Sequence, residues 1–79
     1  MNLEEMKKSA INIFKAKNGE EIHGKIIDEN TVYFHQHIRG GKQVIISSDG
    51  NYLFGSSALS YEELLQEYNK GRRSNNLLT

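Results

Sequence analysis

The chain has 79 residues, with ten basic and ten acidic side chains and a formal net charge of zero. This length suits one small domain, and the balanced charge disfavours nucleic acid and membranes as partners while leaving a homodimer open. The absence of cysteine excludes disulfides and thiolate zinc sites, and no apolar run reaches the roughly twenty residues of a membrane span.

The first predicted element is an amphipathic helix near the N-terminus. Asn2 and Glu5 have the spacing of a capping box, and Asn18-Gly19 supplies a left-handed stop. The apolar stripe consists of Leu3, Met6, Ala10, Ile13 and Phe14. Because this charged segment lacks the apolar core of a secretory signal, we expect a cytoplasmic protein.

A β-hairpin is predicted next, from strands at residues 22–28 and 31–38. A three-residue loop, Asp28-Glu29-Asn30, pairs Ile27 with Thr31, Lys25 with Tyr33 and His23 with His35. This register keeps the larger apolar residues on one buried face, namely Ile22, Ile26, Val32 and Phe34. The register also places His23, His35 and His37 together on the opposite face.

A second hairpin and a second helix complete the pattern. Strands at residues 42–47 and 52–56 flank Asp49-Gly50, a strong hairpin-turn signal. The run Val44-Ile45-Ile46 is apolar on both faces, as in a strand that is covered on both sides or lies at a dimer contact. Ser60 and Glu63 form a capping box for the last helix, which Gly71 ends.

These elements predict an α+β fold, a four-stranded antiparallel β-meander flanked by an N-terminal and a C-terminal α-helix. Residues 1–71 form the single domain, and residues 72–79 are predicted to be a flexible C-terminal tail. The predicted buried residues are Leu3, Met6, Ile13, Phe14, Ile22, Ile26, Val32, Phe34, Val44, Ile46, Leu53, Leu64 and Leu65.

The residues that could carry chemistry do not form a catalytic motif. Gly40-Gly41 before Lys42 lacks the spacing of a phosphate loop, and the serines fall in turns and caps. The three histidines could ligate zinc or nickel, but no carboxylate in the same row orients their rings. We therefore expect no enzyme activity, no cofactor and no tightly held metal.

The same sheet face also suggests a second function. An aromatic and basic surface on this face could serve a module that binds single-stranded nucleic acid or has a regulatory role. Its residues are Tyr33, His35, His37, Lys25 and Arg39. Only two of these side chains carry a permanent charge, and no RNA-binding motif accompanies them. This function is the alternative.

Residues 44–68 resemble the closing segment of small α/β immunity proteins from bacterial polymorphic-toxin systems. The shared pattern is an apolar strand, an Asp/Gly turn, a second strand, a loop of glycine and small residues, and a short acidic helix ending in an aromatic residue. The resemblance implies a stoichiometric inhibitor whose protein partner is a secreted or contact-dependent toxin domain.

Surface chemistry, rather than the resemblance, suggests which residues meet that partner. The last hairpin and the exposed side of the final helix offer carboxylate and amide acceptors beside two tyrosines, a residue type that often anchors interfaces. The candidate partner-binding residues are Asp49, Asn51, Tyr61, Glu62, Glu63, Glu67 and Tyr68.

Overall fold

The computed structural model describes residues 2–15, 22–36, 41–56 and 58–74. Along the chain the elements are α1 (Leu3–Phe14), β1 (Ile22–Asp28), β2 (Thr31–Gln36), β3 (Gln43–Ser47), β4 (Tyr52–Gly55) and α2 (Tyr61–Asn69). The strands form one antiparallel sheet in the order β1-β2-β3-β4. This architecture confirms the predicted α+β meander with terminal helices. Among the described residues, neither helix has the length and apolarity needed to cross a membrane.

The two helices cover opposite faces of the sheet. On one face α1 packs against alternate residues of β2 and β3, including Val44 and Ile46. On the other face Leu64 and Tyr68 of α2 pack around Ile45. Since successive side chains of a strand point to opposite faces, each helix receives its own set of apolar residues from β3. The structure thus explains the double-sided apolar run by a helix on each face.

The first hairpin has the predicted register along most of its length but a different turn. His23 lies opposite His35 and Lys25 opposite Tyr33, as predicted. At the turn, Asp28 rather than Ile27 lies opposite Thr31, and a bulge at Ile27 absorbs the difference. The predicted three-residue loop is therefore wrong. The Asp28 carboxylate accepts the Asn30 N–H at 2.8 Å, which closes a tighter two-residue turn.

The caps of α1 agree with the sequence at its start and differ at its end. The Asn2 side chain accepts the Glu5 N–H at 2.8 Å, and Glu5 accepts the Asn2 N–H at 3.3 Å, which confirms the capping box. The helix ends at Phe14, and Lys15 takes the left-handed conformation that terminates it, with φ of 54°. The predicted stop at Asn18-Gly19 lies outside the described residues.

Both ends of α2 are as predicted. Ser60 and Glu63 form the capping box. Gly71 has φ of 92°, and its N–H donates to the Tyr68 carbonyl at 3.0 Å while the Arg72 N–H donates to the Glu67 carbonyl at 3.3 Å. These two bonds form a Schellman motif, which needs a left-handed residue after the helix.

The observed core differs from the predicted one at one side of the sheet. Leu3 and Ile26 were predicted to be buried but are 51% and 65% exposed. The reason is that α1 lies over β2 and β3 and leaves the adjoining face of β1 uncovered. Of the other predicted core residues, Ile13, Ile22, Leu53 and Leu65 are half-buried and the rest are buried.

Candidate functional site

Two turns of the meander meet at one end of the sheet. The β1–β2 and β3–β4 connections lie at the same end because successive antiparallel strands reverse direction. The Ser48 N–H donates to the Asn30 carbonyl at 2.7 Å, and the Ser48 hydroxyl donates to the Asn30 side chain at 3.3 Å. The two turns therefore form one continuous surface.

An open groove of about 770 Å³ lies between these turns and the end of α2, and we call it the acidic groove. Its charged residues are three carboxylates and one guanidinium. The lining residues are Asp28, Glu29, Asn30, Thr31, Ser47, Ser48, Asp49, Asn51, Tyr68 and Arg73.

Asp49 is held firmly although it is exposed to solvent. Its carboxylate accepts the Ser47 hydroxyl, the Asn51 N–H at 3.0 Å and the Asn51 side-chain amide at 3.2 Å. These hydrogen bonds, with a smaller contribution from the Arg73 charge, lower the pKa of Asp49 below its ordinary value. Asp49 is therefore a fixed anion at neutral pH.

Arg73 closes one side of the acidic groove. Its guanidinium carbon lies 3.6 Å from the centre of the Tyr68 ring, and Nη1 donates to the Tyr68 carbonyl at 2.9 Å. The next residue, Ser74, accepts the N–H of Phe54 on edge strand β4 at 2.8 Å. The predicted tail thus begins with contacts to the domain over residues 72–74, and residues 75–79 lie outside the described part of the chain.

The acidic groove brings together some of the predicted partner-binding residues. Asp49, Asn51 and Tyr68 line it, although Tyr68 is largely buried in the core beneath Arg73. Sequence reasoning missed Asp28 and Glu29. Their place in the groove could have been predicted, because both turns contain acidic residues and a meander places both turns at the same end of the sheet.

The carboxylates of α2 lie outside this groove and differ in their local roles. Glu63 accepts the Ser60 N–H at 3.2 Å as part of the cap. Glu67 lies 2.7 Å from the Arg72 guanidinium, an ion pair at the end of the helix. Glu62 is exposed. Of the three, Glu62 is the one that neither caps the helix nor forms an ion pair within the described part of the chain.

Aromatic rings form a row on the α2 face of the sheet. The His23 and His35 rings are 5.5 Å apart, and Tyr33 stacks on His35 at 5.6 Å. Tyr33 also meets Tyr61 of α2 edge-on at 4.7 Å, and the Lys25 ammonium lies 4.7 Å from the Tyr61 ring. The predicted partner-binding residue Tyr61 is therefore engaged in contacts within the domain. The row of rings defines a second candidate surface.

This aromatic row includes part of the predicted histidine cluster. His37 and Arg39 lie outside the described residues. Within the described ranges, no three histidine, aspartate or glutamate side chains are arranged to hold a metal ion. The expected lack of tightly bound metal stays a prediction.

Comparisons with known proteins add no family to these observations. No protein-family model matches the chain. No significant match was found among curated proteins or among solved structures. The immunity-protein resemblance therefore stays a prediction from the strand, turn and helix pattern.

Proposed function

We propose that this chain is a non-enzymatic interaction protein, an immunity-like stoichiometric inhibitor that binds a basic surface of a bacterial toxin in the cytoplasm. The observation that supports this proposal is the acidic groove. Three carboxylates, from Asp28, Glu29 and Asp49, share it with one guanidinium, from Arg73. The excess of negative charge suits lysine and arginine side chains of a partner.

The groove is also preorganised, which favours tight binding. Asp28 and Asp49 each accept a backbone N–H within their own turn, and Ser48 links the two turns. Ordering flexible loops on association costs free energy, and these turns avoid much of that cost. Fixed carboxylates can also steer a basic partner during its approach, despite the neutral net charge.

The proposal is tested by capture followed by neutralisation. The chain is used as bait in its native cell extract, in parallel with the Glu29→Lys variant. We expect a basic protein in equimolar ratio on the unaltered chain and depleted on the variant. Expression of that protein alone should arrest bacterial growth, and coexpression of the chain should restore it.

Two outcomes would overturn the proposal. One is a captured protein whose toxicity the chain does not neutralise. The other is equal capture by the unaltered chain, by Glu29→Lys and by a matched Glu4→Lys control, because Glu4 is exposed on α1 and does not line the groove.

The aromatic row supports a second candidate, a small nucleic-acid-binding or regulatory module. Tyr33, His35 and His23 form successive ring contacts, the type of platform on which unpaired bases stack. Lys25 adds a cation to this row, with its ammonium 4.7 Å from the Tyr61 ring. The predicted surface has only two permanent charges, on Lys25 and Arg39, and these supply little attraction for phosphates, so this candidate ranks second.

Oligonucleotide binding distinguishes the two candidates. If the row binds nucleic acid, a fluorescent single-stranded 12-mer should gain anisotropy at micromolar chain concentration, and Lys25→Gln should weaken binding. The main proposal instead predicts no binding at 150 mM salt. Equal binding by the unaltered chain and Lys25→Gln would count against the aromatic row as the contact surface.

A further inference from the structure

Within the part of the chain that the structure describes, the face of β1 beside α1 is uncovered and largely apolar. A groove of about 250 Å³ runs along it between the strand and the first turns of α1. Ile26 and Leu3 border this groove and are 65% and 51% exposed, more than the other exposed large hydrophobic residues that the structure describes. Exposed apolar residues gathered in this way typically mark a contact surface.

The backbone of β1 offers hydrogen bonds at the same place. The Phe54 N–H donates to Ser74, so the backbone groups of Phe54 point away from β3. Phe54 lies opposite Val44, Val44 opposite Phe34, and Phe34 opposite Gly24. Paired residues of an antiparallel ladder point alternately toward and away from each neighbour. The N–H and C=O of Gly24 therefore point away from β2, toward the edge of the sheet that no described strand covers.

Gly24 makes this edge flat at its centre. The Phe34 ring of β2 extends beneath it, and a Cβ at position 24 would lie 3.0 Å from Phe34 Cε1. The ring fills the space of the missing side chain. The edge therefore presents two isoleucines, Ile22 and Ile26, on either side of a smooth centre.

We propose that β1 pairs with β1 of a second copy of this chain, antiparallel and about a two-fold axis at Gly24. Ile22 of one copy then lies opposite Ile26 of the other, on the same face as Leu3. The outward backbone groups of residues 22, 24 and 26 exchange roughly six hydrogen bonds across the axis. The result is an eight-stranded sheet.

The edge suits a second copy because it is self-complementary. A two-fold pairing about Gly24 covers the exposed Ile26 and the half-buried Ile22 of both copies at once. Lys7 of α1 is the one charged residue among the described residues that line the same groove. With zero net charge, two copies do not repel each other. A lysine on an edge strand can disfavour pairing with another strand. The ammonium of Lys25, however, lies over the Tyr61 ring on the other face of the sheet. We expect such a contact to fall in the weak size class of interfaces, which bury less than about 1,200 Å² in total.

Sedimentation velocity from 5 to 500 μM tests the dimer. We expect the unaltered chain to shift from monomer to dimer within this range, and Ile26→Lys to weaken association at least tenfold. Leu59→Lys is the matched control, since Leu59 is exposed but lies outside β1. A monomer at 500 μM, or equal weakening by both variants, would overturn the proposal.

Disulfide trapping tests the register, because the chain contains no other cysteine. Ile22→Cys mixed with Ile26→Cys should give an oxidised heterodimer, while neither variant alone should crosslink well. Equal crosslinking in all three samples would exclude the axis at Gly24. Neither isoleucine lines the acidic groove, so failure of the dimer and failure of the proposed inhibitor function are distinguishable.

Discussion

At the scale of single residues, Phe34 shows how one side chain serves several parts of the fold. It is 2% exposed, packs among the core residues beneath α1 and fills the space over Gly24. We expect Phe34→Ala to lower the free energy of unfolding by about 3–5 kcal/mol. Urea denaturation measures this loss, with Phe34→Leu as a control that removes less side-chain volume and should cost less. An unchanged midpoint would contradict the assigned core.

The lowered pKa of Asp49 makes the stability of the fold depend on pH in a way that can be measured. Because its folded pKa lies below its unfolded value of about 3.9, its ionised form stabilises the fold above that value. The stabilisation is lost as the pH falls through the folded pKa. We expect an NMR titration to give Asp49 a midpoint below its ordinary value. We also expect Asp49→Asn to reduce the acid dependence of stability below pH about 4. An Asp49 midpoint at or above its ordinary value would contradict this.

At the scale of elements, the helix caps could be predicted from neighbouring residues in the sequence. The details that depend on how the elements pack together could not. Both capping boxes could be predicted because each joins residues that are three positions apart in the sequence. A two-residue turn without a bulge would slip the register by one residue, so the sequence favoured the longer loop. The Asx turn at Asp28 forms instead, and the bulge at Ile27 restores the register. The exposure of Ile26 depends on where α1 crosses the sheet, which the helix pattern does not encode.

Gln43 connects β3 to α2 and was not predicted from the sequence. This buried amide accepts the Tyr33 hydroxyl at 2.9 Å and donates to the carbonyls of Ser56 and Leu59 at 2.9 and 2.7 Å. It thereby fixes the loop that leads into the helix.

We expect Gln43→Leu to lower the free energy of unfolding by about 2–4 kcal/mol, because it leaves a hydroxyl and two carbonyls without their partner. Tyr33→Phe removes only one of these bonds and should cost about 1 kcal/mol. Thermal or chemical denaturation compares the two variants. Equal losses would show that the loop does not depend on the amide.

At the scale of the whole molecule, the acidic groove combines turns that are distant in sequence. Asp49 and Asn51 were predicted as partner-binding residues from their own turn. Asp28 and Glu29 line the same groove because the meander places both turns at one end of the sheet. Two predicted partner-binding residues on α2 have roles within the domain instead, since Glu63 caps the helix and Glu67 pairs with Arg72. Reversing those two charges would therefore alter stability as well as any binding.

The most direct test of the central claim is the association rate of the captured partner with the Glu29→Lys variant. Glu29 is exposed and lines the acidic groove. We expect Glu29→Lys to slow association by roughly tenfold at 20 mM salt, and by less at 300 mM salt because screening weakens steering. Glu4→Lys, on the opposite face of the sheet, should leave the rate nearly unchanged. Equal rates for Glu29→Lys and the unaltered chain at low salt would contradict the claim that the acidic groove receives a basic partner.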